Sequence, residues 1–153
     1  MKIMLDTGAK MPTKAHPYDA GWDLYAKDDF TVPPSKADGM SFGGMTSSDV
    51  VVGSAIHDTG VHIEIPNGYV GFIKSKSGLN VKYGLTAEGV IDSGYTGAVI
   101  TKLYNHTSKP YHFKKGDKIT QLVILPCFHD DLELVEMLEE TERGANGFGS
   151  SGK

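Results

Sequence analysis

Short runs of alternating or β-branched residues recur along the chain, each bounded by Gly, Asn or Pro, and no long stretch carries a clear helical stripe. A parallel βαβ arrangement needs a crossover of about a dozen residues, usually helical, so this pattern disfavours it and predicts an all-β barrel or sandwich. Residues 60–66 read GVHIEIP, with Val61, Ile63 and Ile65 on one side of a strand and His62 and Glu64 on the other. Asn67-Gly68 supplies a turn and YVGFIKS follows, so residues 61–75 are expected to form a hairpin. Residues 97–104 (GAVITKLY) and 118–125 (KITQLVIL) read as further strands, with Lys115-Gly116-Asp117 as the turn before the second. Residues 130–143 admit two readings. Leu134, Met137 and Leu138 have helix-like spacing, whereas Leu132, Leu134 and Val135 suit a closing strand, which the position after Pro126 favours.

With 153 residues, one domain accounts for the whole chain. No stretch approaches the ~18 apolar residues of a membrane span. The opening apolar run is cut by Asp6 and Gly8 before a signal-peptide core can build, and the single cysteine, Cys127, has no internal disulfide partner. A reducing, cytoplasmic setting is the expectation. The balance of 15 basic to 19 acidic residues, without a basic run, argues against stable nucleic-acid binding. Glycine is abundant, at 19 residues, which implies many turns or backbone that approaches a ligand closely. Two segments break the rhythm of strands. Residues 35–54 form a glycine-rich polar excursion longer than a normal connection, and residues 144–153 (GANGFGSSGK) have the composition of a disordered arm.

Five segments carry candidate chemistry. AGWDLYA places Asp23 at the entry to a strand, where a turn alone would also explain it. IKSKSGLN gathers Ser75, Lys76, Ser77 and Gly78, the hydroxyls, ammonium and unhindered N–H that hold phosphoryl oxygens outside a P-loop. AEGVIDSGYTG reads as a hairpin whose tip bears Asp92 and Tyr95. In GDKITQLVI, Gln121 interrupts an apolar strand and is either solvated or aimed at a ligand. The C-terminal segment sets Arg143 and Phe148 among glycines, offering bidentate contact to phosphate and an aromatic face for stacking.

Together and in this order, AGWDLYA, SKSGL, GVIDSGY, GDKITQLVI and RGANGFGSSG resemble the five motifs of the homotrimeric dUTP pyrophosphatase (dUTPase) family, phage-like members with an extra loop included. The resemblance covers the chain from Pro17 to Gly152 apart from the excursion at 35–54. It implies a distorted jelly-roll or barrel of the β-clip kind over residues 1–143, and a flexible arm, residues 144–153, that completes a neighbouring subunit's site. It also implies hydrolysis of dUTP to dUMP and pyrophosphate, which limits uracil in DNA and supplies dUMP for thymidylate synthesis.

The same resemblance assigns roles. Asp92 matches the aspartate that activates the attacking water, and Tyr95 the aromatic packed against the deoxyribose. Gly89, Val90 and Ile91 match backbone that reads the uracil edge. Lys76, Ser77 and Gly78 match the phosphate-binding segment, and Gln121 a phosphate-contacting glutamine. Asp23 matches a carboxylate oriented toward the water shell of Mg²⁺. Arg143, Phe148, Gly149, Ser150 and Ser151 match the arm. Lys76 stands where many members have arginine, Thr96 follows Tyr95 where arginine is common, and Ser151 replaces a frequent threonine. The implied partners are dUTP, two further copies of the chain and, through the loop at 35–54, a regulatory protein. The competing readings are a dCTP deaminase-related activity, disfavoured because the hairpin lacks the glutamate expected of a deaminase beside its catalytic water, and a regulator acting by binding a repressor.

Overall fold

The β-branched and alternating runs become strands in the computed structural model, which describes residues 1–38, 41–42, 45–46 and 49–145. In chain order they are β1 (Ile3–Leu5), β2 (Gly21–Tyr25), β3 (Phe30–Val32), β4 (Lys36–Asp38), β5 (Ser41–Phe42), β6 (Met45–Thr46), β7 (Asp49–Val51), β8 (Gly53–Asp58) and β9 (Val61–Ile63). There follow β10 (Tyr69–Ser75), a helix α1 (Ser77–Tyr83), β11 (Leu85–Ile91), β12 (Ile100–Asn105), β13 (Tyr111–Phe113) and β14 (Lys118–Pro126). Six strands form the main sheet in the order β2-β14-β10-β11-β12-β8, all antiparallel. This is the expected all-β, jelly-roll-like architecture, realised as a curled sheet whose end strands β2 and β8 do not pair with each other. No helix among the described residues is long and apolar enough to cross a membrane.

Leu24, Val32, Val61, Ile73, Leu85, Val99, Leu103, Phe113, Ile119 and Leu122 are almost wholly buried in one core. Each fully buried aliphatic or aromatic side chain contributes roughly 1.5–3 kcal/mol, and this burial is what curls the sheet around a single interior. Phe30 stacks on Phe113 and on His57, with ring centroids 4.9 and 4.1 Å apart. Burial holds the His57 imidazole below its ordinary pKa, and its Nε2 accepts the Lys27 N–H at 2.9 Å as a neutral ring must.

Two expectations need correction. Residues 61–75 are not a hairpin: β9 pairs with β1, and β10 pairs with β11 and β14. The Asn67-Gly68 turn is present, with Gly68 at φ 83°, but residues 64–66 carry the chain away before the second strand begins. Residues 130–143 form neither strand nor helix, and Leu132, Leu134, Met137 and Leu138 are almost fully exposed because nothing among the described residues covers them. The excursion at 35–54 carries strand pairing of its own. Its backbone forms a ribbon in which β4 pairs with β7 and β5 with β6.

The ribbon is clamped where it leaves the body. Gly53 leaves no room for a side chain, since a Cβ there would lie 2.0 Å from the Pro33 carbonyl oxygen. Ser35 donates its hydroxyl to the Asn105 carbonyl at 2.6 Å. The Asn105 side chain is itself fully buried and fully used. Its amide donates to the Val32 and Lys109 carbonyls at 3.3 and 2.8 Å, and its oxygen accepts from the Thr107 N–H and hydroxyl at 3.0 and 2.8 Å. Replacing Asn105 by alanine strands these partners, so Asn105→Ala should lower the unfolding free energy by about 2–4 kcal/mol, measured by urea titration. A midpoint equal to that of the parent protein would contradict this account of the clamp.

Candidate functional site

Strand β10 organises the candidate residues because both of its edges are paired. On one side Lys74 lies opposite Gln121 of β14, which lies opposite Asp23 of β2. On the other, Lys74 lies opposite Glu88 and Gly71 opposite Ile91 of β11. The phosphate-type residues therefore collect at one end of β10, and the Asp92–Tyr95 turn at the other.

At the first end Asp23 is buried, and each of its carboxylate oxygens meets an ammonium. Lys118 Nζ is 2.6 Å from Oδ2, and Lys76 Nζ contacts Oδ1. Lys118 sits three residues from Gln121, a spacing that regular alternation would send to the opposite face of the sheet. A register shift between Lys118 and Thr120 restores it to the Asp23 face, which is how a β-bulge re-aims a side chain. Burial pushes the Asp23 carboxyl up, and the Lys118 and Lys76 ammoniums outweigh it, so the group titrates below the ordinary carboxylate value. Gln121 donates its side-chain N–H to the Ser75 carbonyl at 3.0 Å, just ahead of Lys76. Ser77 and Gly78 open α1, whose C-terminus is closed by Gly84 in the left-handed region at φ 61°. A Cβ on Gly78 would meet nothing within 4 Å, so the backbone there is open to approach.

At the second end, β11 stays paired with β10 through Ile91 but leaves β12 after Ala87. Among the described residues no strand pairs the outer edge of Gly89, Val90 and Ile91. The chain then turns, with the Tyr95 N–H donating to the Asp92 carbonyl at 3.2 Å and Gly94 at φ 87°. The Tyr95 ring folds over Gly97, where a Cβ would lie 2.4 Å from the phenolic oxygen, and its hydroxyl donates to the Ala98 carbonyl at 3.0 Å. Val90, Ile91, Asp92, Tyr95 and Ile100 line an open cavity of about 310 Å³. The hairpin expected at 87–97 is thus a wide one, ladder-paired only at its base.

The two ends do not meet within one chain. Continuing the β10–β11 register places Lys76 opposite Thr86, six residues before Asp92, or about 20 Å at ~3.3 Å per residue. Arg143 is exposed in the turn that Gly144 closes onto Thr141 at 3.0 Å, and Phe148, Gly149, Ser150 and Ser151 lie outside the described residues. No three His, Cys, Asp or Glu side chains converge as a metal cage among the described residues. Two participants were missed from the sequence. Lys118 was hidden by the bulge, and Gly97 by its ordinary appearance in a turn, although a glycine two residues after an aromatic is a signal for a ring that folds back.

Comparison with known proteins follows this geometry. Residues 46–152 match the dUTPase family model. The deoxyuridine 5'-triphosphate nucleotidohydrolase of Candida glabrata is 38% identical over 144 residues, covering 93% of this chain and 88% of that one. The dUTPase of Staphylococcus bacteriophage 80alpha, solved with dUPNHPP, superposes with a TM-score of 0.82 at 29% identity over 99% of this chain and 98% of that one. A phage phi11 dUTPase from S. aureus, solved as a mutant to detail a structural Mg(II) ion, gives a TM-score of 0.73 at 26% identity over 91% of this chain and 98% of that chain.

Asp23 is the keystone of the first cluster. Removing its charge leaves two ammoniums without a partner, one of them half-exposed and free to solvate. Asp23→Asn should therefore cost about 1–3 kcal/mol, between the values for exposed and for buried pairs. The depressed carboxyl makes the parent's stability fall as pH drops below about 4 through the folded value, and that acid limb should flatten in the variant. Chemical denaturation at several pH values checks both, and parallel acid limbs would refute the assignment.

Proposed function

This chain belongs to the dUTPase family and hydrolyses dUTP to dUMP and pyrophosphate; from that premise we propose that Asp92 activates the attacking water, over a site that no single copy completes. The observation that carries the proposal is the cavity at the end of β11, where one exposed carboxylate and one folded-back aromatic ring stand beside an unpaired strand edge. Uracil presents alternating acceptors and donors, and along Gly89, Val90 and Ile91 the backbone N–H and C=O that alternate away from β10 are suited to read them. The Tyr95 ring offers a flat support for the deoxyribose.

The reaction balances with few parts. The water oxygen bonds to the α-phosphorus as the bond to the bridging oxygen of pyrophosphate breaks. Asp92 takes the water's proton, and dUMP and pyrophosphate leave. General-base assistance of this kind is worth roughly 10²–10⁴-fold. Lys76, Ser77, Gly78 and Gln121 are the groups suited to the phosphate oxygens, with Lys76 acting as a point charge rather than a fork. Arg143, Phe148, Gly149, Ser150 and Ser151 are proposed to close over the nucleotide.

The family's metal dependence fits this donor set in one form. A Mg²⁺ carried on the triphosphate keeps most of its own water and needs few protein ligands, consistent with the absence of a cage among the described residues. Bound there, it would neutralise charge developing on the phosphate oxygens. Both oxygens of Asp23 already meet ammoniums, so its contact with that hydration shell would be shared with Lys76 and Lys118.

The family assignment implies an oligomer, and geometry favours sites shared between copies. A sugar resting on Tyr95 keeps its α-phosphate one ester oxygen away, whereas Lys76 of the same chain is about 20 Å distant along the sheet. The phosphate segment that serves this cavity therefore belongs to another copy. The exposed apolar residues at 132–138 give a second reason for assembly, since they have no cover among the described residues of their own chain. A homotrimer in a reducing cytoplasm is the proposed working form.

Asp92→Asn should retain nucleotide binding and lose kcat by roughly 10²-fold or more, read as pyrophosphate release from dUTP. Turnover within threefold of the parent would remove Asp92 from the role of base. Co-refolding Asp92→Asn chains with chains truncated after Arg143 should restore part of the activity that each lacks. Absence of rescue in verified mixed oligomers would contradict shared sites.

A further inference from the structure

His62 is the one imidazole that touches the loop bearing Asp92 and Tyr95. It lies on the solvent side of β9, opposite Met4 of β1. Its Nδ1 is 2.9 Å from the Thr96 carbonyl oxygen, and its Nε2 is 3.1 Å from Asp6 Oδ1. Both partners are acceptors only. A protonated ring donates to both at once, whereas a neutral ring keeps its one proton on Nε2 toward the charged Asp6 carboxylate, the stronger acceptor, and turns a lone pair to the Thr96 carbonyl.

Thr96 follows Tyr95 directly, one peptide bond on in the chain. On the far side of the loop, Val99 is bonded to β9 at its Val61 carbonyl at 2.7 Å and accepts from the Thr59 hydroxyl at 2.7 Å. The stretch between Asp92 and Val99 is thus anchored firmly at its end, and at its middle by His62. We propose that His62 is a positioning residue for the nucleotide loop, which it holds by donating to the Thr96 carbonyl and releases when it loses a proton. The inference rests on the dUTPase reading of that loop and deepens it.

The surroundings favour the charged ring. Asp6 follows β1 and is also met by Lys27 Nζ at 3.3 Å, from the segment after β2. Asp58, at the end of β8, adds a second negative charge. Lys2 and Glu64, which line the same cavity as His62 and Thr96, neutralise each other at 3.0 Å. Asp92 and Tyr95, on the loop itself, line the other cavity. The hydrogen bond to Thr96 and the pairing with Asp6 hold His62 above its ordinary value despite some loss of hydration. The sign follows. The brace is complete below pH ~6.5 and is lost as pH rises through the raised folded value.

The ring's two nitrogens are separable by substitution. Asparagine places an N–H near Nδ1 and keeps the Thr96 contact, whereas glutamine reaches toward Asp6 and loses it. For the parent, the KM for dUTP should rise roughly three- to tenfold between about pH 6 and pH 9, with a smaller change in kcat. His62→Gln should show the high KM at every pH, and His62→Asn should recover most of the loss at one pH-independent value. Without substrate, the ¹⁵N shift of Gly97, whose peptide carries the Thr96 carbonyl, should titrate with His62 in the parent and not in His62→Asn. A pH-independent KM in the parent, or a Gly97 signal that ignores His62, would overturn the proposal even if a variant failed to fold. A parent protein that releases no pyrophosphate from dUTP would instead overturn the reading of the site, leaving the Gly97 titration to judge the brace.

Discussion

Pairing of β10 on both edges is the constraint from which the site follows. Because β11 and β14 flank the same strand, each candidate residue has a fixed distance along the sheet from every other. A one-residue slip on either side would turn the faces over, which the buried row of Ile73 and Leu122 forbids. Asp92 and Lys76 are therefore held at opposite ends of a rigid ladder. Flexing cannot bring them together, and assembly can. The proposed sharing of a nucleotide-sized site between copies rests on this spacing.

Each end of the ladder solves a different problem. At the phosphate end the difficulty is to keep cations gathered and oriented without a ligand, and Asp23 does this by holding two lysines with a buried carboxylate. At the base end the difficulty is to hold backbone open for recognition. There β11 gives up β12 after Ala87, so the loop to Val99 has no ladder of its own and depends on single contacts through Thr96, Tyr95 and Val99. Rigidity comes from electrostatics at one end and from a few directed hydrogen bonds at the other.

Much of this was legible in the sequence. Local signals did well. The alternation through Val61 and Ile63, the β-branched run at 118–126 and the turns at Asn67-Gly68 and Lys115-Gly116-Asp117 all report backbone preferences that need no distant partner. Pairing partners were not legible in the same way. Residues 61–75 looked like a hairpin because proximity in sequence was the only available guide, whereas β9 chose β1 from the far end of the chain. The helix α1 was missed because it buries no residue and so writes no apolar stripe, although Gly84 after Tyr83 is a recognisable stop. Residues 130–143 offer apolar side chains that no described residue of the same chain covers, so reasoning from local pattern misreads them. Among candidate site residues, Asp92, Tyr95, Lys76 and Gln121 are singled out by chemistry and family pattern, while Lys118, Gly97 and His62 acquire meaning only from a bulge, a folded ring and a carbonyl in space.

The central claim is that the cavity between Asp92 and Tyr95 selects deoxyuridine nucleotides by shape, and substrate preference tests it most directly. A 2′-hydroxyl must displace the Tyr95 ring or lie buried without a partner, at ~1–3 kcal/mol before any steric cost. A cytosine amine would set a donor against the donors of the strand edge. The measurement is kcat/KM for dUTP, UTP and dCTP with saturating Mg²⁺, on the parent and on Tyr95→Ala. The account predicts that dUTP exceeds both competitors by at least ~10²-fold and that the variant relaxes discrimination against UTP far more than against dCTP. Parent turnover of UTP close to that of dUTP would contradict it.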